Sequence, residues 1–199
     1  PTRLDTALDE LRALSAGEVV FAPGFALEGV AETTERTADE LVTEAVAAAS
    51  AADVAVLFLG LPAADESEGF DRDHIDLPAW QLALLEAVRA ANPNVVVVLS
   101  NGSVVALPFR DDVPAIVEAW LLGQAGGGAM ADVLFGIVNP SGKLTETILL
   151  RLEDNPSYGN FPGEFGHVRY GEGILVGYRW YDEKGLDVAY PFGHGLSYT

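Results

Sequence analysis

Apolar positions along the chain follow two alternating periods. Residues 4–14 place Leu4, Ala7, Leu8, Leu11 and Leu14 at helical spacing. Val19-Val20-Phe21-Ala22 reads as a short strand stopped by Pro23-Gly24. Thr37 and Glu40 form a capping box, and the helix after them carries Leu41, Val42, Ala45, Val46 and Ala49 on one face. Val54-Ala55-Val56-Leu57-Phe58-Leu59 is apolar on both faces, as a central parallel strand should be, and Gly60 ends it. A polar loop spans 60–77. Pro78 opens a helix with Leu84, Leu85 and Val88 on one side, stopping before Pro93. Val95-Val96-Val97-Val98-Leu99 and Ile116-Val117-Glu118-Ala119-Trp120 are two further buried strands. Gly126-Gly127-Gly128 lead into a helix near Ala129–Phe135.

The order α-β-α-β-α-β-β-α predicts an α/β fold: a three-layer sandwich with a mostly parallel sheet flanked by helices and joined by right-handed connections. The sandwich is assigned to residues 1–150. From 151 the pattern changes. All six tyrosines fall in the last 42 residues, where glycine and proline are frequent. Residues 151–199 are therefore expected to be an irregular, aromatic-rich tail that packs on the sandwich and on neighbouring domains.

Composition narrows the chemistry. The chain has 199 residues, 49% of them hydrophobic, enough for one domain with a full core. There is no cysteine, which excludes disulfides and thiolate metal sites, and the three histidines, His74, His167 and His194, are too dispersed for a zinc site. The formal net charge of −19 repels nucleic acid and anionic membranes but does not oppose a neutral ligand. No apolar run approaches the roughly 20 residues of a membrane span. Pro1-Thr2-Arg3-Leu4 carries no apolar signal segment; the sequence leaves the compartment open, with a soluble protein of the bacterial cytoplasm as the expectation.

In open parallel sheets, ligands bind beyond the carboxyl ends of the strands. The loop on that edge after Leu59 runs Asp65-Glu66-Ser67-Glu68-Gly69-Phe70-Asp71-Arg72-Asp73-His74-Ile75-Asp76, six carboxyl side chains in twelve residues. Crowding and partial burial raise a carboxyl group's proton affinity, and a glutamate so tuned can donate a proton to a leaving oxygen. Gly69 beside Glu68 would admit a ring close to the backbone. A solvated acidic loop is the plainer reading of the same composition, and the spacing is not that of an EF-hand.

The order of motifs adds to this. Glu66-Ser67-Glu68-Gly69-Phe70-Asp71-Arg72, then Ile75-Asp76-Leu77-Pro78 and Gln81, resembles the acid/base loop of family 3 glycoside hydrolases of the β-glucosidase type. Leu99-Ser100-Asn101-Gly102 resembles the family's strand-end turn, and Trp120-Leu121-Leu122-Gly123-Gln124-Ala125-Gly126-Gly127 its glycine-rich turn. Asp132-Val133-Leu134-Phe135-Gly136, Asn139-Pro140-Ser141-Gly142-Lys143-Leu144 and Tyr190-Pro191-Phe192-Gly193-His194-Gly195-Leu196-Ser197-Tyr198 complete the set. The matches run from about residue 50 to the end; the first fifty residues match loosely. Thr145 and Ile148-Leu149 depart from prolines or aromatics common in relatives.

The resemblance implies a second, α/β-sandwich domain. Its partners would be an N-terminal barrel domain holding an aspartate nucleophile and a C-terminal fibronectin-like domain. It implies hydrolysis of terminal β-glucosidic bonds with retention, through a glycosyl-enzyme intermediate, with no metal or organic cofactor. Glu68 matches the family's glutamate-glycine pair and is the expected acid/base. Glu66 is the alternative, otherwise tuning the proton affinity of Glu68. Asp65, Phe70, Arg72 and Trp120 are the candidate substrate-binding residues. With no barrel and no nucleophile, the chain alone is expected to be inactive. A non-catalytic sugar- or partner-binding module is the competing reading.

Other features have plainer readings. The triple glycine lacks the Lys-Ser or Lys-Thr of a phosphate loop and suits a tight turn packing helix on strand. Arg72 suits an ion pair with Asp71 or a substrate contact, and His74 suits a carboxylate partner. Trp120 suits the core or a sugar-stacking platform. Phe161, Phe165, Tyr170, Trp180 and Tyr181 could line a sugar subsite or dock a barrel, which would leave apolar area exposed. His194 reads as structural.

Overall fold

The computed structural model describes residues 2–26 and 35–198. These form two compact units. The first comprises residues 1–66, 77–102 and 109–138; the second comprises 67–76, 103–108 and 139–199.

The first unit is an α/β sandwich. Its helices are α1 (Ala7–Leu14), α2 (Ala38–Ala51), α3 (Ala79–Ala91) and α4 (Gly126–Leu134), and its strands are β1 (Ala55–Gly60), β2 (Val95–Ser100) and β3 (Ala115–Glu118). The three strands are parallel in the order β1-β2-β3, with Ala55 opposite Val95 and Val97 opposite Ile116. Helix α2 packs on α3, and α1 on α4. Leu57, Leu59, Val95, Val97, Val98 and Leu99 from the strands are buried, as are Leu41, Leu84, Leu85 and Val88 from the helices. Full burial of each such side chain contributes about 1.5–3 kcal/mol. The capping box forms as the sequence predicts: Thr37 Oγ1 accepts from the Glu40 N–H, and the Glu40 carboxylate accepts from the Thr37 N–H. Donation from the Thr37 N–H and from the Thr37 hydroxyl holds the Glu40 carboxyl below its ordinary pKa. Buried Asn92 ends α3 by donating to the carbonyls of Ala49 and Ala52, locking α3 to α2.

Three expectations change. Residues 19–22 form no strand; Val20 and Phe21 are exposed, and the segment continues to Phe25, whose ring packs 4.6 Å from that of Trp80. A four-residue apolar run becomes a strand only if a neighbour accepts its hydrogen bonds. Strand β1 is an edge of the three rather than the centre, and Phe58 stays partly exposed. The glycines at 126–128 lie inside the first turn of α4 rather than before it.

Among its described residues the second unit has a short antiparallel pair, β4 (Ile148–Leu149) with β5 (Val188–Tyr190), one α-helix, α5 (Tyr178–Lys184), and a single 3-10 turn at Leu152–Asp154. Ile148 and Leu149 are buried, so the departures from prolines or aromatics there supply core. His194 has the structural role expected: its carbonyl accepts from the Leu144 N–H, and its ring lies 4.9 Å from that of Tyr190. Phe165, Tyr170, Ile174, Leu196 and Tyr198 are almost fully exposed, whereas Tyr181 is buried. Among the described residues, no helix is long and apolar enough to cross a membrane.

Candidate active site

The acidic loop leaves the carboxyl end of β1, and its departure is fixed on both sides of the strand pair. Gly60 lies opposite Ser100, and a β-carbon on Gly60 would sit 2.1 Å from the Ser100 carbonyl oxygen. Only glycine ends the strand at that approach. Buried Gln81 donates from Nε2 to the Gly60 carbonyl at 2.7 Å and accepts at Oε1 from the Gly60 N–H at 3.0 Å. The N–H groups of Asp65 and Glu66 then both donate to the Pro62 carbonyl, at 2.9 and 3.0 Å, forming a tight turn.

Of the predicted site residues, Asp65, Glu66 and Trp120 belong to the first unit, and Glu68, Phe70 and Arg72 to the second. Asp65 and Glu66 are half-buried. The Glu66 carboxylate accepts from the Gly102 N–H at 2.6 Å. Trp120 lies two residues past β3 with φ of 53°, the left-handed region, which for so bulky a residue costs about 1–3 kcal/mol. It is held there by the Glu118 carboxylate, which accepts from its N–H at 3.0 Å, and by Ser100 Oγ, which donates to its carbonyl at 3.3 Å. Asn101, fully buried, donates to the other Glu118 oxygen at 3.4 Å. Trp120 itself is half-buried, between the core and platform readings.

In the second unit Glu68 and Phe70 are exposed, so the partial burial expected of Glu68 is not supplied by this chain. Gly69 between them has φ of 100°, with open space where a β-carbon would point. Arg72 does not pair with Asp71. Its Nη2 donates to Ser103 Oγ at 2.7 Å and to the Val104 carbonyl at 3.0 Å, because the neighbouring loop offers fixed acceptors where Asp71 is exposed to water. Arg72 Nη1 is buried with no hydrogen-bond partner among the described residues. His74 lies 3.9 Å from the Asp73 carboxylate, the neighbour expected of it.

Glu118 and Asn101 were not singled out by sequence. A lone carboxylate inside the apolar run Ile116–Trp120 was the available signal, since a half-buried charge needs dedicated partners. Among the described residues, no group of three or more histidine, aspartate or glutamate side chains could hold a metal ion. An open recess of about 400 Å³ along α2, lined by Arg36, Asp39, Glu40, Thr43, Glu44 and Ala47, contains none of the candidate residues.

A parallel sheet flanked by helices, whose first strand delivers a carboxylate-bearing loop at its carboxyl edge, defines an α/β-sandwich domain. The family model for the glycosyl hydrolase family 3 C-terminal domain matches residues 1–198, and the chain belongs to that family as its C-terminal domain. It is 56% identical over 202 residues to an exo-α-(1→6)-L-arabinopyranosidase of Bifidobacterium longum, covering all of this chain and 26% of that protein. It is 53% identical over 201 residues to thermostable β-glucosidase B of Acetivibrio thermocellus, again covering all of this chain and 26% of the relative. The crystal structure of a family 3 β-glucosidase from Bifidobacterium adolescentis superposes with a TM-score of 0.90 at 55% identity, over 100% of this chain and 29% of that one. The chain thus spans about a quarter of the length of the curated relatives it matches.

Proposed function

We propose that this domain supplies the acid/base glutamate of a retaining glycosidase acting on terminal β-glucosides, and that Glu68 is that residue. The observation that supports it is the exposure of Glu68 beside the open, left-handed Gly69, on the loop leaving β1 in a family 3 domain. A group that gives a proton to a sugar oxygen must be reachable by the sugar, and Glu68 is. Glu68 protonates the departing oxygen as the glycosidic bond breaks, then takes a proton from the water that hydrolyses the glycosyl-enzyme. The nucleophile comes from a barrel domain, in the part of the relatives' length that this chain does not span. Asp65, Phe70, Arg72 and Trp120 contact the sugar or its aglycone.

The similarity to an arabinopyranosidase favours a second substrate. An α-L-arabinopyranoside, like a β-glucoside, can present its departing oxygen equatorially, so one proton donor serves both.

The test is hydrolysis of aryl β-glucoside and aryl α-L-arabinopyranoside by the chain alone, by the chain with a family 3 barrel, and by that mixture carrying Glu68→Gln. Activity in the mixture only, reduced roughly 10²–10⁴-fold by Glu68→Gln, is expected. The ratio of the two substrates assigns the sugar. Sugar binding without hydrolysis in a mixture that associates would favour the non-catalytic module instead.

A further inference from the structure

Glu66 and Glu68 are separated by one residue, yet their surroundings differ. The Glu66 side chain is engaged: Oε2 accepts from the Gly102 N–H at 2.6 Å, the short distance of a charge-assisted bond. Its Oε2, Cδ and Oε1 all lie 3.1–3.2 Å from where a β-carbon on Gly102 would stand, so the fit depends on glycine there. Its backbone is engaged as well, through the turn closed on the Pro62 carbonyl. Gly102 directly follows buried Asn101, which is tied to Glu118, and these residues extend β2, the middle strand of the sheet. The bond therefore fastens Glu66, within the first unit, to the residues that continue β2, two residues before Glu68.

We propose that Glu66 is a positioning residue, whose bond to the Gly102 amide fixes the point from which the chain delivers the acid/base Glu68. This inference rests on the assignment of Glu68 above. An anchor of this kind matters because a misplacement of about 1 Å in a reacting group can slow a reaction roughly 10²-fold.

The test compares leaving groups in the chain assembled with a family 3 barrel. An alkyl β-glucoside needs its departing oxygen protonated; a 2,4-dinitrophenyl β-glucoside does not. Glu66→Ala should lower kcat/KM roughly ten- to a hundred-fold for the alkyl glucoside and only a few-fold for the dinitrophenyl one. Glu66→Gln, whose amide oxygen can still accept from Gly102, should recover most of the loss. Gly102→Ala, which crowds the carboxylate, should reproduce the Glu66→Ala pattern and add little to it in the double variant. The last two variants carry the test if Glu66→Ala does not fold by thermal denaturation. An alkyl-glucoside rate unchanged in Glu66→Ala and Gly102→Ala, with Glu68→Gln inactive, overturns the positioning role and leaves Glu68 as acid/base. Glu66→Gln as inactive as Glu66→Ala and rescued by azide, with Glu68→Gln near wild type, overturns the assignment of Glu68 itself.

Discussion

Gln81 and Gly60 hold each other through two hydrogen bonds, the Gln81 amide donating to the Gly60 carbonyl at 2.7 Å and accepting from its N–H at 3.0 Å. Gln81 is buried in α3, and Gly60 is the last residue of β1, so one side chain couples the helix to the point where the acidic loop departs. Gln81→Leu preserves volume but leaves two backbone groups unpaired at about 1–3 kcal/mol each. Urea denaturation should show a loss of about 2–5 kcal/mol in the midpoint-derived stability. A loss below about 0.5 kcal/mol would mean that water replaces both bonds.

The Glu118 carboxylate is the matching device at the end of β3. It holds Trp120 in a left-handed conformation and accepts from buried Asn101. Glu118→Ala removes the acceptor of the Trp120 N–H and of the long Asn101 bond and should destabilise by about 2–4 kcal/mol. Glu118→Gln keeps one acceptor oxygen and should lose about half as much. Equal losses in the two variants would show that charge, rather than the count of acceptors, holds the turn. Because Trp120 is also a proposed sugar contact, the ratio of KM to kcat effects in the assembled enzyme separates packing from binding.

How much of this was legible beforehand varies with the range of the interaction responsible. The apolar runs at 55–59 and 95–99 announced β1 and β2; β2 is largely covered on both faces, whereas one face of β1 stays partly open at Phe58. The Thr37–Glu40 box announced α2 because both of its hydrogen bonds close within four residues. Val19–Ala22 misled because a short apolar run makes a strand only beside a neighbour: Val20 and Phe21 stay exposed, and the segment forms no strand. The partners of Arg72, Ser103 and Val104, lie more than thirty residues away, and nothing local distinguished them from Asp71. The candidate loop itself was legible from its carboxylates and from resemblance, whereas the different engagement of Glu66 and Glu68 required the position of Gly102.

Tyr181 gives a pH dependence of stability. Burial, with the negative charges of Asp154 and Glu146 nearby, pushes its phenol above the ordinary value near 10. The folded state therefore holds the proton more tightly than the unfolded state, and between the two values it binds more protons. That contribution is complete below pH 10 and is lost as pH rises toward the folded-state value. Thermal unfolding from pH 8 to 11 should show a falling midpoint whose alkaline part is smaller in Tyr181→Phe. Parallel curves for the two proteins would place the alkaline sensitivity elsewhere.

Adjacent glycines of α4 should respond in opposite directions to the same substitution. A β-carbon on Gly127 would sit 2.4 Å from the Asp5 carbonyl oxygen and 2.6 Å from the Thr6 carbonyl carbon, because the segment entering α1 crosses this helix backbone to backbone. The Asp5 N–H donates to the Gln124 carbonyl at 3.0 Å at the same crossing. Backbone cannot yield there without breaking that bond and separating α1 from α4. Gly128, one residue on, has open space where its β-carbon would point and no positive φ. Gly127→Ala should lower stability by several kcal/mol or prevent folding. Gly128→Ala should raise it by about 0.5–1 kcal/mol, by helix propensity and by restricting the unfolded chain. Circular dichroism melts of the two variants decide the matter: a tolerated Gly127→Ala would mean that α1 does not dock on α4 as described, and a damaging Gly128→Ala would mean that this face of α4 is covered.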